Sequence, residues 1–299
     1  GDGMASARDI QSRIKSVQDT MKITNAMYLI SSTKVKKARR ALNDALPHFM
    51  QSEQLIGEIL RDLPELEDRF FGTGEPILGG KKGFLVISGD KGLAGAYNHN
   101  IVKFAEGILQ KETDPAVYVV GQLGALALQK AGYPVNRRFT GAAQQPSVSR
   151  SRRMAATLCQ QFADGELSEV YIIYTRMEEH GEEATPVLQK LLPLSAEAFR
   201  PGEDKPQKPQ QVNYLPDAGA VLGSIAPNYV TGYLFGALVE AYCSEENARM
   251  LAMKSATDSA ADMLRELSVI YNSVRQAAIT QQIVEVEGGA KAQKRKRTS

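Results

Sequence analysis

The stretch DIQSRIKSVQDTMKITNAMYLISSTKVKKARRALNDALPHFMQSEQLIGEILRDL (Asp9–Leu63) advances in alternating steps of four and three from Ile10. The steps land on Ile14, Val17, Met21, Thr24, Tyr28, Ser31, Val35, Ala38, Leu42, Ala45, Phe49, Ser52, Ile56, Ile59 and Leu63, most of them apolar or small. Residues three and four apart share one face of an α-helix, so this is a heptad seam of about seven repeats, past the three or four that argue for a coiled coil. Unbroken, it would run about 80 Å at 1.5 Å per residue, longer than an ordinary core can cover. Pro47 lacks the N–H that the helix ladder needs and is expected to kink or divide it, and Leu63-Pro64 marks its end.

The last third of the chain repeats the pattern. From Phe235 the same stepping gives Val239, Tyr242, Glu246, Arg249, Met253, Ala256, Ala260, Met263, Leu267, Ile270, Val274, Ala277, Gln281 and Val284. Pro227 suits the start of this helix and Gly288-Gly289 its end. The expected division is a first coiled-coil helix over 4–63, a central domain over 81–200, a linker or loop over 201–216, a second coiled-coil helix over 219–287 and a basic tail over 288–299. Two long seams in one chain are satisfied by pairing with each other in antiparallel fashion, or by pairing with a second copy.

Between the seams the period changes. Lys82–Ser88 (KGFLVIS), Ala116–Gly121 (AVYVVG) and Val170–Tyr174 (VYIIY) read as buried strands, separated by helical stretches near 98–111, 123–131 and 149–162. Such alternation predicts a mainly parallel sheet, with the proline-bearing Thr185–Leu194 as an edge strand. The fold class is therefore α/β: a long antiparallel coiled coil of the N- and C-terminal helices plus a central Rossmann-like α/β domain.

No catalytic constellation emerges along the chain. SGDKGLAGAYN (Ser88–Asn98) is a glycine-rich loop opening a helix, a place where phosphate can sit, but it matches neither GxGxxG nor GxxxxGK[ST]. Asp90 within it reads as a helix cap more readily than as a cation ligand. His48, His99 and His180 are scattered, and the acidic cluster Glu178, Glu179, Glu182 and Glu183 reads as a charged surface. Neither a metal site nor a cofactor is expected. Cys159 and Cys243 read as buried, inert thiols. The net charge of +2 gives no general case for nucleic acid, and the basic run Lys34, Lys36, Lys37, Arg39 and Arg40 comes with no base-reading element, so no nucleic-acid partner is expected. The tail KAQKRKR (Lys291–Arg297) reads as a disordered extension that strengthens binding to something acidic. No run approaches the ~18 apolar residues of a membrane span.

AITQQIVEVEGGA (Ala278–Ala290) resembles the C-terminal signature of the γ subunit of F-type ATP synthases. RIKSVQDTMKITNAM (Arg13–Met27), SGDKGLAGAYN, EENARMLAMKSATDSA (Glu245–Ala260) and VIYNSVRQAAIT (Val269–Thr280) extend the similarity across nearly the whole chain, in that family's order. The resemblance implies a central rotor shaft with no active site of its own, coupling ion-driven rotation of the c-ring to ATP synthesis or hydrolysis. It implies the α and β subunits of the head, the ε subunit and the c-ring as partners, and a peripheral membrane position at the cytoplasmic face of a bacterial plasma membrane. Lys22, Met27, Arg249, Arg275, Gln276, Thr280 and Gln282 match positions that contact the catalytic subunits. Gln282 stands where the family commonly has glutamate, and Ser259 where it commonly has asparagine. Arg249 also falls on the heptad seam, where it would serve as an internal polar register device. The competing readings are a non-motor coiled-coil scaffold and a nucleotide-binding enzyme using the loop at Asp90.

Overall fold

The computed structural model describes residues 7–63, 66–72, 79–142, 145–177, 184–199 and 214–297. The acidic cluster at 178–183 lies outside them, as does the expected linker up to residue 213. The chain forms two compact units, one of residues 1–30 with 250–299 and one of residues 31–249.

Helix α1 (Ala7–Asp62) supplies residues to both units, as does α5 (Ala218–Arg297). Every seam position of α1 from Ile10 to Ile59 is buried or half-buried, while Leu63 is exposed. Pro47 does not divide α1. The proline forfeits one backbone hydrogen bond, but Ala45 and Phe49 on either side of it pack against the cluster of Phe235, Val239 and Cys243 and hold the helix through that position. Gly288-Gly289 does not end α5 either, which continues to Arg297. Each glycine costs only about 1 kcal/mol relative to alanine inside a helix, too little to stop one by itself.

In the first unit the two helices run antiparallel, with the Thr24 and Thr257 hydroxyls 2.7 Å apart. The inward line of α5 here is Met253, Thr257, Ala260, Leu264, Leu267, Tyr271 and Val274. The expected Met263 and Ile270 are exposed, and their neighbours Leu264 and Tyr271 face inward instead. Two consecutive steps of four, Arg249 to Met253 to Thr257, shift the phase by one residue, as a 3.6-residue helix does when it relaxes from a strict 3.5 repeat.

The second unit holds a five-stranded sheet of order β3-β2-β1-β4-β5. Its strands are β1 (Lys81–Ile87), β2 (Ala116–Val120), β3 (Val135–Asn136), β4 (Leu167–Met177) and β5 (Ala184–Leu192). All neighbours are parallel except β5, which joins β4 antiparallel at the edge, with Pro186 opposite Thr175. Helices α2 (Tyr97–Leu109) and α3 (Gln122–Lys130) cover one face through Ile101, Ala105, Leu109, Ala125 and Leu128. The other face, through Leu85, Ile87, Ile172 and Tyr174, meets α4 (Val148–Ala163) together with Ile56 and Ile59 of α1 and Leu222, Ala226, Val230 and Leu234 of α5. The ends of the coil are thus the third layer of the sheet domain. Cys159 and Cys243 are buried free thiols, and burial pushes the Cys159 thiol up to about 12.

α1 and α5 meet closely at Gly232, where a Cβ would stand 2.5 Å from Cγ of Phe49. Gly232→Ala must displace that ring, and overpacking of this kind costs about 1–3 kcal/mol. Thermal unfolding of the purified chain should show the corresponding drop in midpoint, and an unchanged midpoint would mean the contact is slack.

Candidate functional site

In an open sheet of this order, ligands bind where the strand order reverses, outside the carboxyl ends of the strands. Here that point lies between β1 and β4, and the glycine-rich loop after β1 rims it. The loop is tied down internally. Gly89 N–H donates to Asn98 Oδ1 at 2.8 Å, and Asn98 Nδ2 donates to the Lys91 carbonyl at 3.3 Å. Asp90 accepts from Gln122 N–H at 2.8 Å and so caps the start of α3. Ser88 Oγ donates to the Val120 carbonyl and accepts from Gly124 N–H, bracing β1 to β2. Gly89, the first glycine of the loop, is thus engaged by the protein itself through its N–H and its close approach to Asn98.

The crevice is filled by α5. Ser244 Oγ donates to the Thr175 carbonyl of β4 at 3.3 Å. The Glu245 carboxylate lies 2.8 Å from where a Cβ of Gly89 would be, so a side chain there would push it aside. Arg249 Nη2 pairs with Glu245 Oε1 at 2.6 Å and donates to the Gly92 carbonyl at 3.2 Å and the Lys91 carbonyl at 3.5 Å. Arg249 Nη1 pairs with Glu246 Oε1 at 2.9 Å, and Lys34 of α1 reaches the same oxygen at 2.9 Å.

Two acids and two bases balance, yet the acids differ. Burial pushes the Glu245 carboxyl up, and Arg249 offsets this only in part. Burial acts on Glu246 in the same direction, but hydrogen bonds from Ser31 and Lys34 and the charges of Arg249 and Lys34 outweigh it and hold Glu246 below the ordinary range. Burial also pushes the phenol of Tyr97, beside Glu245, upward. This arrangement fixes a helix against a sheet; it offers no open acid–base pair and no exposed nucleophile.

The residues expected to make contacts fall into three places. Arg249 is buried in the crevice. Lys22 is exposed and pairs with Asp19 at 3.2 Å. Met27 is half-buried and sits off the seam between Ile23 and Ile30, which are 60% and 55% exposed. Arg275, Gln276, Thr280 and Gln282 lie on α5 where every residue from 275 to 291 is exposed. With Thr24 opposite Thr257, Ala7 falls opposite Val274, so described α1 ends where the burial of α5 ends. Thr280 Oγ1 donates to the Gln276 carbonyl at 2.9 Å and keeps its acceptor positions open. Sequence reasoning missed the apolar side chains interleaved there: Ile279, Ile283 and Val286 are 48% to 73% exposed. Their spacing off the seam was the available signal, as it was for Ile23 and Ile30, while Val284, expected on the seam, is 62% exposed.

The family description "ATP synthase" matches residues 6–293. The chain is 41% identical over 288 residues to the ATP synthase gamma chain of Ruminiclostridium cellulolyticum, covering 95% of this chain and 98% of that one. It is 37% identical over 296 residues to the ATP synthase gamma chain of Acetivibrio thermocellus (97% and 100% covered). It is 34% identical over 303 residues to the sodium-ion-specific gamma chain of Acetobacterium woodii (95% and 98% covered). Among solved structures, the rotor of the Euglena gracilis mitochondrial ATP synthase superposes with a TM-score of 0.60 at 16% identity, over 91% of this chain and 98% of that one. The central stalk and c-ring structure of the Tetrahymena thermophila enzyme gives 0.57 at 21% identity, over 78% and 99%. These two likenesses show a shared fold.

The Glu246 carboxyl, held low in the folded chain, adds stability above the ordinary carboxylate range (reference value 4.5) that is lost as pH falls below it. Glu246→Gln should therefore destabilise the chain by about 3 kcal/mol at about pH 7 and by much less at about pH 3. Thermal scans of both proteins at the two pH values check this; an equal loss at both would exclude a charge-based role.

Proposed function

This chain belongs to the ATP synthase gamma chain family, and we propose that it is the central rotor shaft of its complex. It is a non-catalytic subunit that couples ion-driven rotation of a c-ring to ATP synthesis or hydrolysis at the β subunits. The observation that carries this reading is α5 beyond Val274, a helix exposed on every side that still bears Ile279, Ile283, Val284 and Val286. A helix with apolar side chains on an open surface calls for a surrounding partner. A ring of α and β subunits supplies one. A single asymmetric helix inside it gives each of three β subunits different contacts, and only differential contact shifts their open and closed states relative to one another.

Gln276, Thr280, Arg275 and Gln282 are the polar groups that this segment presents to the ring, with the apolar residues between them filling the sleeve. Lys22 and Met27, on the stripe of Ile23 and Ile30, form a second contact from α1. Gln282 offers a hydrogen bond rather than a charge. The α/β domain is the part that binds the ε subunit and the c-ring. No described helix is long and apolar enough to cross a membrane; the chain is peripheral to the membrane through its complex, at the cytoplasmic face of a bacterial plasma membrane. The scaffold reading is disfavoured because the family match runs over residues 6–293 and the relatives are gamma chains along nearly their whole length.

Gln276→Ala with Thr280→Ala removes two hydrogen bonds worth about 1 kcal/mol each. Affinity for the isolated α/β ring should fall at least about tenfold, with a matching loss of ion-driven synthesis in the assembled complex. Titration of the ring with both proteins, followed by synthesis assays, decides the matter. Full affinity together with full synthesis would move the contact elsewhere on the shaft.

A further inference from the structure

Arg249 is the group through which α5 grips the glycine-rich loop. One guanidinium serves two carbonyls of the loop, at Lys91 and Gly92, and two carboxylates of its own helix. At 6% exposure it has no face left for another chain. The other anchors of the loop, Asn98 and the Asp90 cap on α3, all belong to the α/β domain itself. The loop is held in a demanding conformation: Leu93 is a non-glycine residue at φ +62° with its side chain 64% exposed. A branched side chain in the left-handed region persists where surrounding contacts fix it.

We infer that Arg249 is a positioning residue for coupling rather than a contact to the catalytic subunits. It straps the 88–98 loop, and with it the carboxyl edge of the sheet, to α5, so that the α/β domain and the coil beside it turn together. The inference rests on the shaft reading above and adds the internal joint that such a shaft requires. Apolar packing lies on the face of the sheet that meets α1 and α5, and apolar surfaces tolerate sliding because they are non-directional. Hydrogen bonds from a planar fork to two carbonyls and two carboxylates have fixed directions and resist it. Lysine carries the same charge without the fork.

The test uses three variants in the fully assembled complex: Arg249→Lys, Arg249→Gln, and Arg249→Gln combined with Glu245→Gln. The double variant removes the strap and its buried counter-charge together, so folding is not confounded by an orphaned carboxylate. Two quantities are measured: amide hydrogen exchange of residues 89–98, and ions transported per ATP hydrolysed. Exchange in the loop should rise about tenfold in Arg249→Lys and in the double variant, while amides of β1 and β2 stay protected. Transport per ATP should fall at least about twofold with hydrolysis retained. Loss of coupling with unchanged loop exchange would overturn the inference, because Arg249 would then act on a neighbouring subunit. A loosened loop with full coupling would overturn it as well. Failure of the shaft reading shows itself separately: a complex assembled without this chain would couple as well as the complete one.

Discussion

A helix that carries an apolar stripe must have that stripe covered, and a helix of fifty residues or more cannot be covered by an ordinary globular core. The chain meets this constraint with its own two ends, and the remaining architecture follows from how the burial is arranged. In the unit of residues 31–249, α1 and α5 cover each other and also present a second face to the sheet, so Ile56, Ile59, Leu222 and Leu234 are almost wholly buried. In the unit of residues 1–30 and 250–299 they cover only each other, which leaves Ile23, Leu29, Ile30, Leu251 and Val269 exposed. Past Val274 no residue of α5 is buried up to residue 291. The open apolar surface of α5 begins where the chain ceases to cover itself.

The same economy explains the lack of chemistry in a domain whose topology elsewhere serves nucleotides. The place where a ligand would sit is occupied by Ser244, Glu245 and Arg249 of α5, and the loop that would cradle phosphate gives its carbonyls, not its N–H groups, to a guanidinium. An anion meeting that rim would face Glu245, and the cation beside it, Arg249, is already committed to two carboxylates and two carbonyls. A fold does not dictate an activity; the groups lining its crevice do.

Much of this was legible in the sequence, for reasons that differ by element. The seam of α1 was, because a heptad repeat is local and each position reports on the same face. Three strands and their helices were, because buried parallel strands are continuous apolar runs. The phase of α5 beyond Met253 was not: Ser255 to Ala261 are nearly all small, so either phase fits, and α5 carries apolar residues on two faces, one for α1 and one left open. The two-residue β3 is too short to produce a pattern. Gly288-Gly289 suggests a stop because composition records propensity, which neighbouring good helix formers can override. The crevice was not legible at all, since Arg249 and Gly92 meet across 157 positions of sequence. Arg249 on the seam hinted at an internal role without naming its partners. Contacts to other chains, such as those proposed for Lys22, Met27 and the α5 end, depend on sequences that are not in this one.

Buried charge at the joint also bears on how the coil keeps its register. Apolar seams with a repeating period tolerate a slip of one heptad at modest cost, and a stretch of small residues discriminates registers poorly. Polar groups within the seam do discriminate. Thr24 finds a hydroxyl only opposite Thr257, and Lys34 finds a carboxylate only opposite Glu246, which Arg249 holds in place. A slip would leave Glu246 buried without its cations, a far larger penalty than the apolar mismatch. Well-packed apolar residues of similar volume often match or exceed a buried ion cluster in stability, yet leucines here would remove the feature that tells one register from the next. For a coil that only held a protein together, that exchange would be acceptable. For one whose exposed end must present a fixed set of residues at a fixed height, register is the property that matters, and buried ions specify it where apolar packing cannot.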